Sequence, residues 1–129
     1  MFGLLLVAIV GWLAYKNYPS SDSKDTIRIA FVGPLSGATS GEGNFLAKAV
    51  QLYLDGINSK GGIGGKQIVL DKYDDQNDSK IATERAKEIA KSNAVGVIGH
   101  YYSGPSIAGG EIYKQYGIPA ITPSATSVA

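Results

Sequence analysis

The chain has 129 residues, of which 44% are apolar and 18% charged, so it can build a hydrophobic core and has the length of one domain. Twelve basic and eleven acidic residues leave a net charge of +1, which gives no basic surface of the kind that binds nucleic acid. Cysteine is absent, which excludes disulfides, cysteine-ligated metals, a cysteine nucleophile and a lipid-modified N-terminal cysteine. Because there is also only one histidine, we expect neither a metal site nor a bound cofactor.

The N-terminus differs in composition from the rest of the chain. Residues 1–15 are almost wholly apolar, and the first charge is Lys16. This run matches the apolar part of a signal peptide and is shorter than the roughly 20 residues of an untilted membrane-spanning helix. No basic residue precedes it and no A-x-A cleavage site follows, which favours an uncleaved anchor. We therefore expect residues 1–16 to form an apolar helix that serves as an export signal or anchor.

A polar linker follows this segment. Residues 17–25 contain Pro19 and three serines, a composition typical of a tether. The sequence thus predicts an anchor or signal at 1–16, a linker at 17–25 and a folded lobe at 26–129.

The folded lobe alternates β-branched apolar runs with amphipathic segments. The sequence predicts strands at residues 26–34, 66–75, 94–99 and 118–122, and helices at 41–60, 80–92 and 105–116. Such alternation with short connections produces parallel strands joined by right-handed crossovers. We therefore predict an α/β fold with a doubly wound parallel sheet in the order 2-1-3-4.

The first predicted helix has an apolar stripe. Its members recur at helical spacing, and we expect this face to pack on the sheet: Leu46, Val50, Tyr53 and Ile57, widened by Phe45, Ala49 and Leu52. Gly61 and Gly62 are expected to end the helix.

Three loops are expected to meet at one edge of the sheet. They are residues 33–43, 100–105 and 122–127, which follow the first, third and fourth strands. Doubly wound sheets bind ligands beyond the carboxyl ends of their strands, at the point where the strand order reverses. These loops are rich in glycine, hydroxyl groups and backbone N–H groups that open helices, which suits an anion such as a carboxylate or phosphate.

The loops lack the P-loop, dinucleotide-binding and nucleophile-elbow motifs, so we predict no catalytic residue. His100 lies three residues before Ser103, but we expect its ring to pack beneath the loop rather than to activate a serine. Asp74, Asp75 and Asp78 lack the spacing of a calcium-binding loop. We expect these acids to form a solvated turn in which Asp78 or the next residue caps the following helix.

Four segments together resemble the periplasmic branched-chain amino-acid-binding family, which has the type I solute-binding fold. In order, they read IRIAFVGPLSG, INSKGGIGGKQIVLDKYDDQND, VGVIGHYYSG and GIPAITPSAT, and the resemblance covers residues 26–129. The resemblance implies a two-lobed binding protein, without enzymatic activity, that closes on a small amino acid. It also implies that residues 26–129 are part of the N-terminal lobe and that a C-terminal lobe of the same protein completes the site.

The resemblance implies the ligand contacts as well. Ser103 falls on the position whose hydroxyl binds the α-carboxylate, and Thr126 on the position that binds it through hydroxyl and backbone N–H. The backbone carbonyl of Ser124 would accept a hydrogen bond from the α-ammonium. We add Tyr102 as an aromatic wall of the same pocket.

One position departs from the family pattern. Branched-chain amino-acid binders place an aromatic residue in the first loop, at or near the position of Glu42 in this sequence. A carboxylate there suits a polar or cationic ligand side chain. Glu42 is otherwise an exposed acid in the first turn of a helix, where a negative charge is favourable. The expected ligand is therefore an amino acid or a similar small polar molecule.

The resemblance implies the extracytoplasmic substrate-binding component of an amino-acid importer of the ATP-binding cassette (ABC) type. Its partners would be the ligand and the membrane permease, and it would lie in the periplasm or on the outer face of the cytoplasmic membrane, anchored if residues 1–16 are retained. The alternative is the ligand-binding domain of a membrane-anchored sensory receptor, since the lobe is also similar to the amino-acid-binding domains of glutamate-type receptors. A hydrolase that uses Ser36 or Ser103 with His100 lacks a third catalytic member.

Overall fold

A computed structural model describes residues 26–127, which contain four strands and three helices. In chain order these are β1 (Thr26–Gly33), α1 (Ser40–Asn58), β2 (Gln67–Asp74), α2 (Ser79–Ala90), β3 (Ala94–Ile98), α3 (Ser103–Tyr116) and β4 (Ala120–Ile121). Every predicted strand and helix of this region is present, with small differences at the ends. The predicted N-terminal helix and linker lie outside the described residues.

The strands form one parallel sheet in the order β2-β1-β3-β4, which confirms the predicted topology. β1 pairs with β2 along its whole length, up to the pair Gly33–Asp74. On its other side Phe31 is aligned with Ile98, which is aligned in turn with Ile121 of β4. Because all strands run in the same direction, their carboxyl ends lie at one edge of the sheet.

Helices α2 and α3 pack together and share the main core with the sheet. This core consists of Ala30, Val32, Val97, Ala86, Ile89, Ile112 and Tyr113. The side chain of Asp78 accepts hydrogen bonds from the N–H groups of Lys80 and Ile81, so the predicted cap of α2 is confirmed. None of the helices in residues 26–127 is both long and apolar enough to cross a membrane.

Helix α1 packs through different residues from those predicted. Its buried positions are Gly43, Ala47 and Leu54, whereas Leu52 and Tyr53 are 75% and 72% exposed. Gly43 packs closely on the loop after β1, and part of the predicted stripe, which includes Phe45, Leu52 and Tyr53, is exposed. A groove of about 480 Å³ remains beside the helix, lined mainly by Ile29, Val50, Tyr53, Ile57, Ile63 and Ile98.

The predicted end of α1 is confirmed. The N–H of Gly62 donates to the carbonyl of Ile57 at 3.1 Å, a closure typical of helix C-termini. Gly62 has a φ of +75°, and a Cβ at this position would lie 1.9 Å from the Lys66 carbonyl oxygen. Glycine is therefore required on both conformational and steric grounds.

We predict that Gly43→Ala destabilises the fold while Gly56→Ala in the same helix does not. A Cβ at Gly43 would lie 1.9 Å from the Pro34 carbonyl oxygen, whereas one at Gly56 meets nothing within 4 Å. We expect Gly43→Ala to cost about 1–3 kcal/mol of unfolding free energy, through displacement of α1 from the loop. Gly56→Ala should be roughly 0.5–1 kcal/mol more stable than the parent. Equal urea-unfolding midpoints for the two variants would contradict this packing.

Candidate functional site

Four loops meet at the carboxyl edge of the sheet, where the sequence predicted three. Residues 34–39 follow β1, residues 99–102 follow β3, and residues 122–127 follow β4. The fourth loop is residues 75–78 after β2, and the acidic side chains that hold the neighbouring loops are Asp75 in this loop and Asp74 at the end of β2.

Asp74, the last residue of β2, fixes the loop after β1. Its carboxylate accepts hydrogen bonds from the N–H groups of Leu35 at 2.8 Å, Gln76 at 3.0 Å and Ser36 at 3.3 Å, and from the Ser36 hydroxyl. Partial burial by itself raises the pKa of Asp74. The four hydrogen bonds lower it by more, so the pKa lies below its usual value.

Asp75 was expected in a solvated turn, and the structure shows that this is wrong because the residue is completely buried. Its carboxylate is compensated by two hydrogen bonds, from the Asn77 N–H at 2.9 Å and from His100 Nδ1 at 2.7 Å. Burial of a carboxylate is tolerated when its oxygens are hydrogen-bonded in this way. The acidic turn is therefore divided: Asp78 caps a helix at the surface, and Asp75 joins the interior.

His100 packs beneath the loop after β3, as predicted, and is 1% exposed. Its Nε2 lies 3.1 Å from the Tyr113 hydroxyl. Burial, and then the charges of Asp75 and Tyr73, raise the pKa of Tyr113, so its phenol stays protonated at neutral pH and can donate to the ring. Both ring nitrogens are thus engaged, and Ser103 is not a partner of either.

The backbone carbonyl of His100 organises the neighbouring loop. It accepts hydrogen bonds from the hydroxyls of Thr122 at 2.8 Å and Ser106 at 3.1 Å. The Thr122 hydroxyl in turn accepts from the N–H of Ala125 at 3.1 Å. Sequence reasoning missed Thr122 and Ser106, although a hydroxyl residue directly after β4 was a usable signal.

Ser103, the first residue of α3, lies beside the loop that contains two other predicted ligand-binding residues. Its hydroxyl oxygen accepts a long hydrogen bond of 3.4 Å from the Ser127 N–H. Ser124 and Thr126 are exposed between Thr122 and Ser127. A cavity of about 240 Å³ lies beside Ser103, lined by residues of α3 and of the loop after β4, which include Ser103, Ser106, Glu111, Thr122, Ala125 and Ser127. Ser124 and Thr126 are not among the described residues that line it.

Tyr102 and Glu42 form a second part of the edge. Tyr102 precedes α3 and packs edge-on against Tyr101, with ring centroids 5.0 Å apart. Desolvation, then the negative charge of Glu42 and the neighbouring Tyr101, raise the pKa of Tyr102. Glu42 itself is exposed in the first turn of α1. Neither Glu42 nor Tyr102 is among the described residues that line the cavity beside Ser103.

The donors at this edge are neutral, which defines the chemistry that they support. The residue that precedes α3 makes no side-chain hydrogen bond to the first turn of the helix, whose N–H groups carry partial positive charge. Serine and threonine hydroxyls surround this end. Among the described residues no three histidine or acidic side chains form a metal-binding group. The arrangement therefore suits an organic anion held by dipoles.

We predict that Asp74→Asn destabilises the fold at neutral pH and makes its stability less dependent on pH. The pKa of Asp74 in the folded state lies below its unfolded value of 3.8, so the carboxylate contributes stability above about pH 4. That contribution disappears as the pH falls through the folded pKa. Thermal unfolding should show a lower midpoint for the variant at pH 7 and a narrower difference near about pH 2.

Asp55→Asn is the control for this prediction, because Asp55 is exposed on α1 and makes its side-chain hydrogen bond to Gln51 within the same helix. Parallel pH profiles for the parent and Asp74→Asn would contradict the role given to Asp74.

Comparison with known proteins finds relatives that match most of this chain. A leucine-, isoleucine-, valine-, threonine- and alanine-binding protein of Pseudomonas aeruginosa is 33% identical over 121 residues, which are 94% of this chain and 31% of that protein. The Leu/Ile/Val-binding protein of Escherichia coli K12 is 34% identical over 115 residues, which are 89% of this chain and 30% of that protein.

Solved structures give the same result. A branched-chain amino-acid transporter substrate-binding protein of Streptococcus pneumoniae, in complex with isoleucine, superposes with a TM-score of 0.76 at 34% identity. The match covers 79% of this chain and 30% of that one. This chain thus spans about a third of the length of these relatives. Residues 26–128 match the family model described as periplasmic binding protein, and the chain belongs to that family.

Proposed function

We propose that this chain forms the amino-acid-binding lobe of an extracytoplasmic substrate-binding protein that serves an ABC-type importer. The observation that carries the proposal is the position of Ser103, at the uncapped start of α3 and hydrogen-bonded to the loop that contains Ser124 and Thr126. Family membership supports it, since relatives that match nearly the whole chain are named as amino-acid-binding proteins.

In the proposed complex the α-carboxylate lies at the start of α3. The hydroxyls of Ser103 and Thr126, together with the Thr126 N–H, donate to its oxygens, and the helix dipole favours the negative charge. The carbonyl of Ser124 accepts from the α-ammonium. Tyr102 and Glu42 lie towards the ligand side chain. His100 takes no part in any reaction because its ring is buried and both nitrogens are hydrogen-bonded.

The proposal includes a second lobe. The relatives are about three times as long as this chain, so most of each relative has no counterpart here. A second lobe would supply an acidic partner for the ammonium and the opposite wall of the pocket. Its closure over the ligand would exclude water and strengthen each polar contact. The partners are then the ligand, the second lobe and a membrane permease, and the location is the periplasm or the outer face of the cytoplasmic membrane.

A membrane-anchored sensory receptor is a second candidate. It is favoured by the uncharged, apolar residues 1–15, which are not followed by an A-x-A cleavage site. The two functions would share one ligand site and differ outside it. Sequencing the reading frame beyond Ala129 distinguishes them: a further apolar span and a cytoplasmic domain would identify a receptor, whereas a second lobe followed by a stop codon would favour transport.

We predict that Ser103→Ala and Thr126→Ala each weaken amino-acid binding by about 1–3 kcal/mol, since each removes a hydrogen bond to a charged carboxylate. The measurement is calorimetric titration of the complete reading-frame product with a panel of L-amino acids. Ser59→Ala is the matched control, because its hydroxyl bonds only to the Gly56 carbonyl at the end of α1. If all three variants bind like the parent, the site lies elsewhere.

We predict that Glu42→Trp changes ligand preference. If the carboxylate faces the ligand side chain, its replacement by an aromatic ring should move the ratio of the L-lysine and L-leucine dissociation constants about tenfold or more towards leucine. Lys48→Trp places the same ring further along the exposed side of α1 and should leave the ratio unchanged. If the ratio of the two dissociation constants is unchanged in Glu42→Trp, Glu42 does not face the ligand and serves only as an acid in the first turn of α1.

A further inference from the structure

The Thr122 side chain links two loops of the candidate site. It directly follows β4, and its hydroxyl donates to the His100 carbonyl at 2.8 Å. The same oxygen accepts from the Ala125 N–H at 3.1 Å and lies 3.5 Å from the Ser106 hydroxyl. One side chain therefore connects the end of β3, the first turns of α3 and the turn after β4.

The His100 carbonyl, which accepts the hydrogen bond from Thr122, belongs to a residue whose side chain is fixed in the interior. The ring of His100 lies between the buried Asp75 carboxylate and the Tyr113 hydroxyl, at 2.7 Å and 3.1 Å. Among the described residues, every buried side-chain nitrogen and oxygen has a hydrogen-bond partner, so this buried group has little freedom to rearrange. The carbonyl that receives the Thr122 hydroxyl thus belongs to one of the most constrained residues in the lobe.

The loop after β4 is held by few side-chain hydrogen bonds. Ser124, Thr126 and Ser127 are exposed, and the described side-chain hydrogen bonds that reach residues 123–127 are Ala125 N–H to Thr122 and Ser127 N–H to Ser103. The second of these is long, at 3.4 Å. The shorter bond, which the Ala125 N–H donates to the Thr122 hydroxyl, is therefore the principal described side-chain restraint on this turn.

We infer that Thr122 is a positioning residue for amino-acid binding: through the His100 carbonyl and the Ala125 N–H it holds Ser124 and Thr126 in the conformation that accepts the ligand. This inference rests on the proposed function. Preorganisation of this kind lowers the entropic cost of ordering the loop when the ligand binds. Thr122 contributes to affinity without a contact of its own to the ligand.

The test compares Thr122→Val, which keeps the shape and removes the hydroxyl, with Thr122→Ser, which keeps the hydroxyl. Thr83→Val is the matched control, because it removes a hydroxyl that bonds only to the Ser79 carbonyl within α2. The complete reading-frame product is titrated with L-leucine, L-valine, L-threonine and L-lysine. Amide hydrogen exchange is measured at residues 124–127 in the absence of any ligand, and the unfolding midpoint of each variant is recorded.

We expect Thr122→Val to bind the preferred amino acid about 3- to 10-fold more weakly and to exchange the Ala125 amide faster, with Thr122→Ser close to the parent in both measurements. Thr83→Val should retain full affinity even where its unfolding midpoint falls. The inference is overturned if Thr122→Val keeps the parent's affinity, or if its affinity falls while exchange at residues 124–127 is unchanged.

The exchange measurement separates failure of the inference from failure of the proposed function. If no amino acid binds the parent, the proposed function fails and the inference about binding fails with it. Slow exchange at Ala125 that depends on the Thr122 hydroxyl would then remain as a purely structural restraint. If the parent binds and Thr122→Val binds equally well, the proposed function stands and the inference alone fails.

Discussion

The buried contact between Asp75 and His100 is the interaction on which the carboxyl edge of the sheet depends. It joins the end of β2 to the end of β3 at 2.7 Å, inside the protein, where loss of either partner leaves a polar group uncompensated. Polar groups at and next to this pair bind the loops on either side. The Asp74 carboxylate, beside Asp75, accepts hydrogen bonds from the loop after β1, and the His100 carbonyl accepts one from the loop after β4. The edge is therefore a connected network rather than four independent loops.

This network places neutral donors where the proposed ligand carries its carboxylate. A site made of hydroxyls and helix N–H groups needs no buried cation, but each hydrogen bond contributes modestly, about 1.5–3 kcal/mol with a charged acceptor. Micromolar affinity requires about 8 kcal/mol net, after the cost of ordering the ligand and the loop. The groups of one lobe fall short of that value, which is why the proposed function includes a second lobe that closes over the ligand. This chain spans only about a third of the length of its relatives, which is consistent with this energetic argument.

The sequence predicts the elements that depend on local pattern, and it fails where tertiary contacts decide. Sheet order, the Asp78 cap and the glycine end of α1 follow from periodicity, capping chemistry and chirality rules. Burial of Asp75 does not, because nothing local distinguishes it from its exposed neighbours. Likewise, periodicity identifies an apolar side of α1 but not which part contacts the sheet, so Tyr53 lies exposed. Of the candidate site, the places of Ser103 and of the loop after β4 at the carboxyl edge were predictable, whereas the hydrogen bonds by which Thr122 links the loops required the fold.

The central claim is that this edge recognises the α-carboxylate of an amino acid, and the most direct test varies that group alone. Calorimetry on the complete reading-frame product would compare L-leucine and L-lysine with their α-carboxamides, which keep the ammonium and side chain but lose the charge. The account predicts saturable binding of at least one amino acid and a loss of about 100-fold or more for its amide. Equal affinity for acid and amide, or no binding of either amino acid, would contradict it.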